Sequence, residues 1–467
     1  MRYDRISALP DSLISQILLY LPTKDSVKTS VLSKRWRNLW LDVPGLELHS
    51  NDFPFYAKSD IKTFTDKFLK CNRELSLQKF KIKYDECNVY LFGISEWFAT
   101  AINRGAQVLD VDTCWRPYYK DFMPLEIYNS KTLVSLKLVN VGMPNPPGGL
   151  VVVSLPCLKR MHLEDVLYSD EDPLIMEKLI SGCPVLEDLT VCRVFDDNVP
   201  VLRVRSQSVK RFCVKCGGVW KYTAGTEYAV EIDAPGLEYM NFSDGHSGRV
   251  VAKNLTSLFM VDIDTGFNVF LGGNVTMERK GIVRDFFTGV SSVRHMIISQ
   301  HTLQALYRFL KLGTISVFQN LSRLEASFCT FLLQVLPGFL ENFPNLKHLT
   351  VYLVHTNVPD PDNLEPTVVP RCLLLTLECV EIKEVITEKE AVWNRTLSKR
   401  TATRLLKVKK SHWMKAVRYI LENSLVLKQL ILCFAPLTNQ VTDTSKELRT
   451  FTKRSRRCEI FIRVSSL

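Results

Sequence analysis

The sequence predicts an α/β fold in which a small α-helical unit is followed by an irregular solenoid with a parallel inner sheet and outer helices. One observation is a cluster of short amphipathic segments between residues 9 and 40, and the other is a leucine pattern that recurs almost to the end. The length of 467 residues fits a repeat array, because each repeat packs only on its neighbours. We expect a first part at 1–48, the array at 49–368 and a distinct C-terminal region at 369–467.

The composition indicates a folded chain outside membranes. Hydrophobic residues make up 46% and charged residues 23% of the chain, which is typical of globular domains. No apolar run approaches the roughly 20 residues that cross a bilayer, and the start, Met1–Arg5, lacks the apolar segment of a secretory signal. We therefore expect a protein of the nucleus, the cytoplasm or both, whose 13 cysteines are reduced thiols.

The N-terminal helices are predicted from proline positions and helical spacing. Residues 9–22 form one short helix: Pro10 suits its first turn, where an N–H has no partner in any case, and Pro22 ends it. Thr23 is expected to cap a second helix through its side-chain oxygen, and Ser33 to cap a third. One face of the first helix carries apolar residues at helical spacing, namely Leu13, Ile14, Ile17, Leu18 and Leu21.

This unit carries many apolar side chains for its size. Three short helices bury too little surface to be stable alone, yet they include Trp36 and Trp40. Two interpretations remain open on the residues themselves. Either the apolar side chains form a local core, or part of them is a surface for a partner, as exposed apolar patches usually are.

A family resemblance favours the partner surface. The stretches Asp4–Ile14, Leu21–Asp25 and Val31–Trp40 closely resemble, without gaps, the F-box of plant F-box proteins. In that family the F-box docks onto a Skp-type adaptor, which links it to a cullin scaffold, and basic residues such as Lys34 and Arg35 would steer the encounter. Some of the residues that the resemblance assigns to the adaptor interface could instead pack inside the helical unit. The residues that it implies face the adaptor are Leu9, Pro10, Leu13, Ile14, Ile17, Leu18, Leu21, Pro22, Val31, Leu32, Trp36, Leu39 and Trp40.

A leucine-x-x-leucine-x-leucine pattern, with conservative replacements, recurs through the rest of the chain. Most neighbouring copies lie roughly 20 to 40 residues apart, which is the period of leucine-rich repeats. Each copy predicts one strand of the inner sheet. The copies are Leu133/Leu136/Leu138, Leu158/Met161/Leu163, Leu186/Leu189/Val191, Leu237/Met240/Phe242, Leu255/Leu258/Met260, Val293/Met296/Ile298, Leu346/Leu349/Val351, Leu377/Val380/Ile382 and Leu427/Leu430/Leu432.

The likeness between copies extends upstream and predicts a helix before each strand. Gly182, Asn342 and Asn423 end such helices, and Gly and Asn tolerate a left-handed cap. Buried strands of an ordinary α/β domain would show similar leucines, but not caps at matching offsets. Residues 51–111 and 391–410 fit the pattern poorly, so we expect an irregular first part of the array and a long basic insertion.

The C-terminal region from Pro370 to Phe461 resembles the FBD region that closes many plant F-box proteins with leucine-rich repeats. The family pattern has a short acidic loop between its first strand and its helix, whereas the link here is longer and basic, from Lys399 to Lys410. The role of the region in the family is therefore not carried over to this chain. Taken with the F-box and the repeats, the resemblance spans almost the whole sequence.

The sequence carries no pattern that we interpret as a catalytic, cofactor or metal site. Cys213 and Cys216 have zinc-ligand spacing but no second ligand pair nearby. His162, Glu164 and Asp165 are interpreted as a solvated strand edge. Three glycine pairs lack the context of a nucleotide-binding loop, at 148–149, 217–218 and 272–273.

The sequence thus predicts the non-catalytic substrate receptor of a Skp-cullin-F-box ubiquitin ligase, in which the F-box binds the adaptor and the repeats bind a target protein. Such a receptor needs no catalytic residue, because it acts by holding the target near a charged ubiquitin carrier. The residues between pattern leucines would line the target-binding surface of the inner strands, namely Lys137, His162, Thr190, Thr350 and Ile431.

Two other functions remain as alternatives. A scaffold that uses the F-box for assembly without degradation would have the same sequence features. The net charge of +11 suggests a nucleic-acid-binding repeat protein. That interpretation is the less favoured, because no aromatic residue alternates with the basic run at Lys399–Lys410.

Overall fold

The chain divides into two compact units, Met1–Gly236 and Leu237–Leu467. Both combine short helices with parallel strands, as the sequence predicts, and no helix of the described ranges is long and apolar enough to cross a membrane. The structure, a computed structural model, describes residues 6, 8–53, 60–71, 76–84, 94–113, 120–146, 151–194, 197–216, 228–245, 247–267, 277–310, 315–354, 369–385, 414–434 and 447–464. The predicted insertion at 391–410 lies outside these residues.

The first unit begins with two short helices and continues as a parallel sheet in the order β1-β2-β3-β5-β7-β8-β10. Two further parallel pairs, β4 with β6 and β9 with β11, lie outside that sheet. Its helices are α1 (Asp11–Leu18), α2 (Thr23–Lys28), α3 (Asp60–Cys71), α4 (Ile94–Asn103) and α5 (Ile175–Ser181). Its strands are β1 (Gly45–His49), β2 (Lys79–Tyr84), β3 (Val108–Thr113), β4 (Asp121–Phe122), β5 (Ser135–Val139), β6 (Val141–Gly142), β7 (Arg160–Glu164), β8 (Asp188–Arg193), β9 (Val201–Arg205), β10 (Arg211–Cys216) and β11 (Ala229–Asp233).

The second unit has a parallel sheet in the order β12-β14-β15-β16-β17-β18-β19-β20. Residues 414–423 are helical in addition to its named helices. Those helices are α6 (Met277–Gly289), α7 (Gln300–Leu310), α8 (Leu336–Leu340) and α9 (Arg371–Leu375). The strands are β12 (Tyr239–Asp244), β13 (Arg249–Lys253), β14 (Met260–Ile263), β15 (His295–Ile298), β16 (Arg323–Cys329), β17 (His348–Val354), β18 (Cys379–Val385), β19 (Gln429–Phe434) and β20 (Glu459–Val464).

The pattern leucines are the buried face of the strands. Along β7 the residues alternate between buried and accessible, because successive side chains of a strand point to opposite faces. Leu136, Met161 and Leu189 stand side by side on β5, β7 and β8, and each is at most 2% exposed. Within the first unit, the recurring pattern therefore stacks into a continuous apolar layer.

One predicted copy of the pattern is wrong by three residues. The strand β14 buries Val261 and Ile263, whereas Met260 lies on its accessible face. The true copy is Leu258/Val261/Ile263, since Val261 pairs with Met240 of β12. Leu258 belongs to both the predicted copy and the true copy, so the two overlap in the sequence. In the true copy the strand positions are the β-branched residues Val261 and Ile263, which favour strands.

The expectation of an irregular first part at 51–111 is wrong. The strands β2 and β3 are in-register members of the sheet, and the helices α3 and α4 precede them. Phe80 of β2 packs edge-to-face on Phe98 of α4, with ring centroids 6.2 Å apart. The buried positions are Leu77/Phe80/Ile82 and Ala106/Leu109/Val111. Ala106 is the residue that departs from the pattern, because the copies recognised elsewhere carry Leu, Met, Val, Ile or Phe at these positions.

The helix ends do not use the left-handed conformation that their Gly and Asn residues suggested. Gly182 has φ −73°, and neither Asn342 nor Asn423 is among the described residues with positive φ. Instead, the Asn342 amide donates to the Phe339 carbonyl over 3.0 Å and the Asn423 amide to the Tyr419 carbonyl over 2.8 Å. Each asparagine side chain thus adds a hydrogen bond to a carbonyl near the end of its helix, and the Phe339 carbonyl also accepts from the Asn342 N–H.

The helical unit is anchored on the first strand rather than set apart from it. Thr23 does not cap α2 as predicted; its side-chain oxygen accepts a bond of 2.9 Å from the Glu47 N–H of β1. The Lys79 ammonium of β2 donates to the Leu19 carbonyl over 2.7 Å. Trp40 stacks on Phe64 of α3 at a centroid distance of 5.9 Å. Residues 33–42 form turns and a short 3₁₀ helix in place of the predicted third α-helix.

Gly182 occupies a position where a larger residue does not fit. A Cβ atom there would lie 2.6 Å from Val153 Cγ1 and 2.7 Å from the Val153 carbonyl oxygen. We therefore expect Gly182→Ala to lower the free energy of unfolding by about 1–3 kcal/mol through overpacking. A shift of the urea midpoint of the purified chain measures this loss.

Gly281→Ala is the matched control, because a Cβ in the interior of α6 would meet no atom within 4 Å in the described residues outside its own helix backbone and chain neighbours. It should leave stability unchanged or raise it by up to about 1 kcal/mol, since glycine weakens a helix interior. A Gly182→Ala midpoint no lower than that of Gly281→Ala would contradict the close packing of α5 on the segment before β7.

Candidate functional site

The N-terminal helices expose an unusual amount of apolar surface. Of the 18 large hydrophobic residues that are exposed in the described part of the chain, seven lie between residues 6 and 32. On α1, Leu13 is 51% and Ile17 is 47% exposed, and the two stand one turn apart on the same face. Val31 and Leu32, after α2, are 87% and 64% exposed. Leu21, Pro10 and Pro22 are exposed as well.

The remaining predicted adaptor-facing residues turn inward. Ile14, Leu18, Trp36 and Leu39 are at most 5% exposed and form, with Val43, the core of the helical unit. Leu9 packs against this cluster and is half-buried, as is Trp40. Ile14, Leu18, Trp36 and Leu39 thus lie beneath the exposed residues and are not part of the surface, whereas Leu9 and Trp40 remain partly accessible. The apolar side chains thus divide into a local core and a separate surface, which combines both interpretations of the sequence.

Two features of this surface were missed from the sequence. Tyr20, in the turn that follows α1, is 89% exposed. Arg35 makes hydrogen bonds within the helical unit: its Nε lies 2.9 Å from Asp11 Oδ1, and its guanidinium also donates to the Leu9 carbonyl. It therefore ties the turn before Trp36 to the start of α1 and is not simply a steering charge.

The accessible face of the first unit brings together three of the predicted target-binding residues. Lys137, His162 and Thr190 occupy matching positions on β5, β7 and β8, and each is half-buried. They line one concavity of about 440 Å³. The same concavity is lined by charged residues of neighbouring strands, namely Lys79, Lys81, Asp110, Arg160 and Asp188.

Ion pairs between neighbouring strands neutralise much of the charge on this face. Lys79 Nζ lies 2.9 Å from Glu47 Oε2, and Lys137 Nζ lies 3.9 Å from Asp110 Oδ1. Burial raises the pKa of the Asp110 carboxyl, and the nearby Lys137 and Lys81 ammonium groups oppose that shift. Lys81 and Arg160 have no ion pair within the described residues, so they are the cations best placed to receive an acidic group of a partner.

The other two predicted target-binding residues belong to the second unit. Thr350 and Ile431 lie on β17 and β19, separated in the same row by Glu381 of β18. Thr350 is only 6% exposed. Ile431 is half-buried.

A polar network beside Thr350 was not anticipated. Glu325 of β16 accepts from the Tyr352 hydroxyl over 2.9 Å and lies 3.1 Å from His295 Nε2. Its pKa is lowered: burial alone would raise it, but the bonds from Tyr352 and His295 outweigh that effect. Burial, together with this bond, raises the pKa of Tyr352 to about 12. These residues sit on three adjacent strands, and strand spacing alone gives no signal of such a cluster.

The cysteine pair with zinc-ligand spacing does not form a site by itself. Cys213 and Cys216 are three residues apart on β10, and side chains at that spacing point to opposite faces of a strand. A different group has donor atoms close together, namely His162, Glu164 and Cys192.

The chain is similar to known plant proteins over nearly its whole length. Residues 6–47 match the family model of the F-box domain, and residues 94–312 match the model described as FBD-associated F-box protein At5g56370, LRR repeats. In Arabidopsis thaliana, putative F-box/FBD/LRR-repeat protein At5g44950 is 48% identical over 99% of this chain and 100% of its own length. F-box/FBD/LRR-repeat protein At2g26030 is 48% identical with the same coverage. F-box/FBD/LRR-repeat protein At1g13780 is 47% identical over 99% of this chain and 98% of its own length.

Two isoleucines of α1 test the division between core and surface. Ile14→Ala should lower the free energy of unfolding of the helical unit by about 2–5 kcal/mol, because it leaves a cavity in a closed cluster. Ile17→Ala should change it by less than about 0.5 kcal/mol, because Ile17 is 47% exposed. Amide hydrogen exchange of residues 11–18 measures both. Equal protection in the two variants would contradict the assignment of Ile14 to the core.

Proposed function

Because the chain belongs to the F-box/FBD/LRR-repeat protein family, we propose that it is the target-recognition subunit of a Skp-cullin-F-box ubiquitin ligase. The N-terminal helices bind a Skp-type adaptor, and through it a cullin. The accessible strand faces of the repeats bind a target protein. The chain itself has no catalytic step to perform in this assembly.

The observation that carries the proposal is the exposed apolar surface on a unit with a closed core. Leu13, Ile17, Val31 and Leu32 are exposed although the cluster below them is complete. Apolar surface of this kind is costly in water and marks a protein interface. Side chains from α1 and from the turn after α2 offer an adaptor the apolar anchors that dominate binding energy.

The anchoring of the helical unit supports the second half of the proposal. The bond from Glu47 to Thr23 and the bond from Lys79 to Leu19 join the adaptor-binding surface to the strands of the first unit. A target on those strands would be held at a defined place relative to the adaptor. Ubiquitin transfer then gains from proximity, which converts an encounter between molecules into a nearly intramolecular step.

The concavity at Lys137, His162 and Thr190 is the target-binding surface that we propose in the first unit. Lys81 and Arg160 line it without an ion pair of their own among the described residues. A target segment with acidic side chains would complement these two cations. Such pairing contributes to specificity and to the rate of encounter more than to raw affinity.

Co-expression with a Skp-type adaptor tests the first half of the proposal. The wild-type chain should co-purify with the adaptor, and Leu13→Ala combined with Val31→Ala and Leu32→Ala should weaken binding by at least about 2 kcal/mol, the loss typical of a central interface residue. Surface plasmon resonance with immobilised adaptor measures the difference. Trp36 is avoided, because its removal would damage the core.

Val152→Ala is the control for this triple variant, since Val152 is 73% exposed but lies outside the N-terminal helices. It should bind the adaptor as the wild type does. Adaptor binding that survives the triple substitution in a folded chain would refute the proposed surface.

The target-binding face is tested with the adaptor-bound receptor. Lys137→Ala combined with His162→Ala and Thr190→Ala should lose those proteins that the wild-type receptor enriches from Arabidopsis thaliana extracts under proteasome inhibition, while adaptor binding persists. Quantitative mass spectrometry measures the loss. Lys70→Ala, an exposed lysine on α3, should keep them. An unchanged set of bound proteins in the triple variant would place target binding elsewhere.

A further inference from the structure

The strands β7 and β8 bring an imidazole, a carboxylate and a thiol to one point on the accessible face of the first unit. His162 Nε2 lies 2.9 Å from Glu164 Oε2. The donor atoms of these two residues and Cys192 Sγ all lie within 4.8 Å of one another. No two of these residues are covalent neighbours, so the convergence is a product of the fold.

Strand geometry accounts for the convergence. His162 and Glu164 are two residues apart on β7, so their side chains leave the same face of the strand. Glu164 pairs with Cys192 of β8 in the parallel register, which places the thiol beside the carboxylate. The side chains are partly exposed, at 32% for His162 and 42% for Glu164, so an ion can reach them from solvent.

The donor set selects one class of ion. Nitrogen and sulfur donors suit zinc and its neighbours among the transition metals, whereas calcium and magnesium take oxygen ligands. In a tetrahedral zinc site, metal–ligand bonds of about 2.0–2.3 Å put neighbouring donor atoms roughly 3.3–3.6 Å apart. His162 Nε2 and Glu164 Oε2 are 2.9 Å apart, slightly closer than that, and the distances to Cys192 Sγ are at most 4.8 Å. Donor-atom movements of about 1 Å would therefore close the site.

The charges around the cluster are mixed. Asp165 follows Glu164 and adds negative charge nearby, although burial raises its pKa and Lys120 faces it. Lys215 of β10 pairs with Cys192 and opposes a cation. Burial raises the pKa of the Cys192 thiol to about 11.

We propose that His162, Glu164 and Cys192 form a binding site for a divalent transition-metal ion, with zinc the best match to the donors. Three protein ligands leave one coordination position open to water on the accessible face. The site does not depend on the proposed ligase function, because the ion is bound by the chain alone. It adds a metal centre next to Thr190 and Lys137 in the first unit.

Cobalt titration of the full-length chain tests the site, because cobalt replaces zinc and reports its ligands by absorption. After treatment with a chelator, the wild type should take up cobalt with a thiolate-to-cobalt charge-transfer band in the near ultraviolet, and zinc should bleach the band. Cys192→Ser should abolish the band. Glu164→Gln should weaken zinc binding by more than the roughly 10- to 100-fold that loss of an outer-sphere partner costs.

Cys213→Ser is the matched control, since Cys213 lies on the next strand of the same sheet, paired with Thr190. This variant should keep the band, as a site of His162, Glu164 and Cys192 requires. Circular dichroism and adaptor binding show whether each variant is folded, and neither depends on the metal. A wild type without the band, or equal loss in Cys213→Ser and Cys192→Ser, would overturn the proposal.

Discussion

Neighbouring strands of each unit pair in parallel and in register, so that residues with the same place in the leucine pattern stand side by side. Leu136, Met161 and Leu189 form one buried row, and Lys137, His162 and Thr190 form the accessible row next to it. A slip of one residue would exchange the two faces and put charges into the core. The apolar layer therefore sets where every accessible side chain of the sheet stands. The proposed target-binding face and the proposed metal site both depend on this register.

The same constraint explains how a very small helical unit becomes a firm platform. A core of Ile14, Leu18, Trp36 and Leu39 is too small to be stable alone. It is stabilised by attachment to the edge of the sheet, where the Thr23 hydroxyl oxygen accepts from the Glu47 N–H and Gly45 leaves room for Leu19. The exposed side chains Leu13 and Ile17 are thereby held at fixed positions. An interface whose anchors are already in place loses less entropy on binding.

Much of the fold could be predicted from the sequence, because repeated burial leaves a repeated pattern. The limits have physical causes. Leu13 and Ile14 are adjacent apolar residues of one helix, and spacing cannot tell which of them the remaining chain will cover. Met260 was placed in the core because two leucine frames overlap at Leu258. Cys192 was not connected with His162, since only the pairing of β7 with β8 makes them neighbours.

The arrangement of charge bears on which partner the first unit selects. The net charge of +11 suggested nucleic acid, but the lysines of the sheet face acidic residues of the next strand. Lys79 pairs with Glu47, Lys83 with Asp112 and Lys137 with Asp110. A polyanion gains affinity by meeting many cations that lack partners, whereas here the acidic member of each pair would repel it. A face of alternating charge instead suits a protein segment that matches the pattern residue by residue. In the proposed function, Lys81 and Arg160 would pair with acidic groups of the target, because among the charged residues that line the concavity only these two have no ion pair within the described part of the chain.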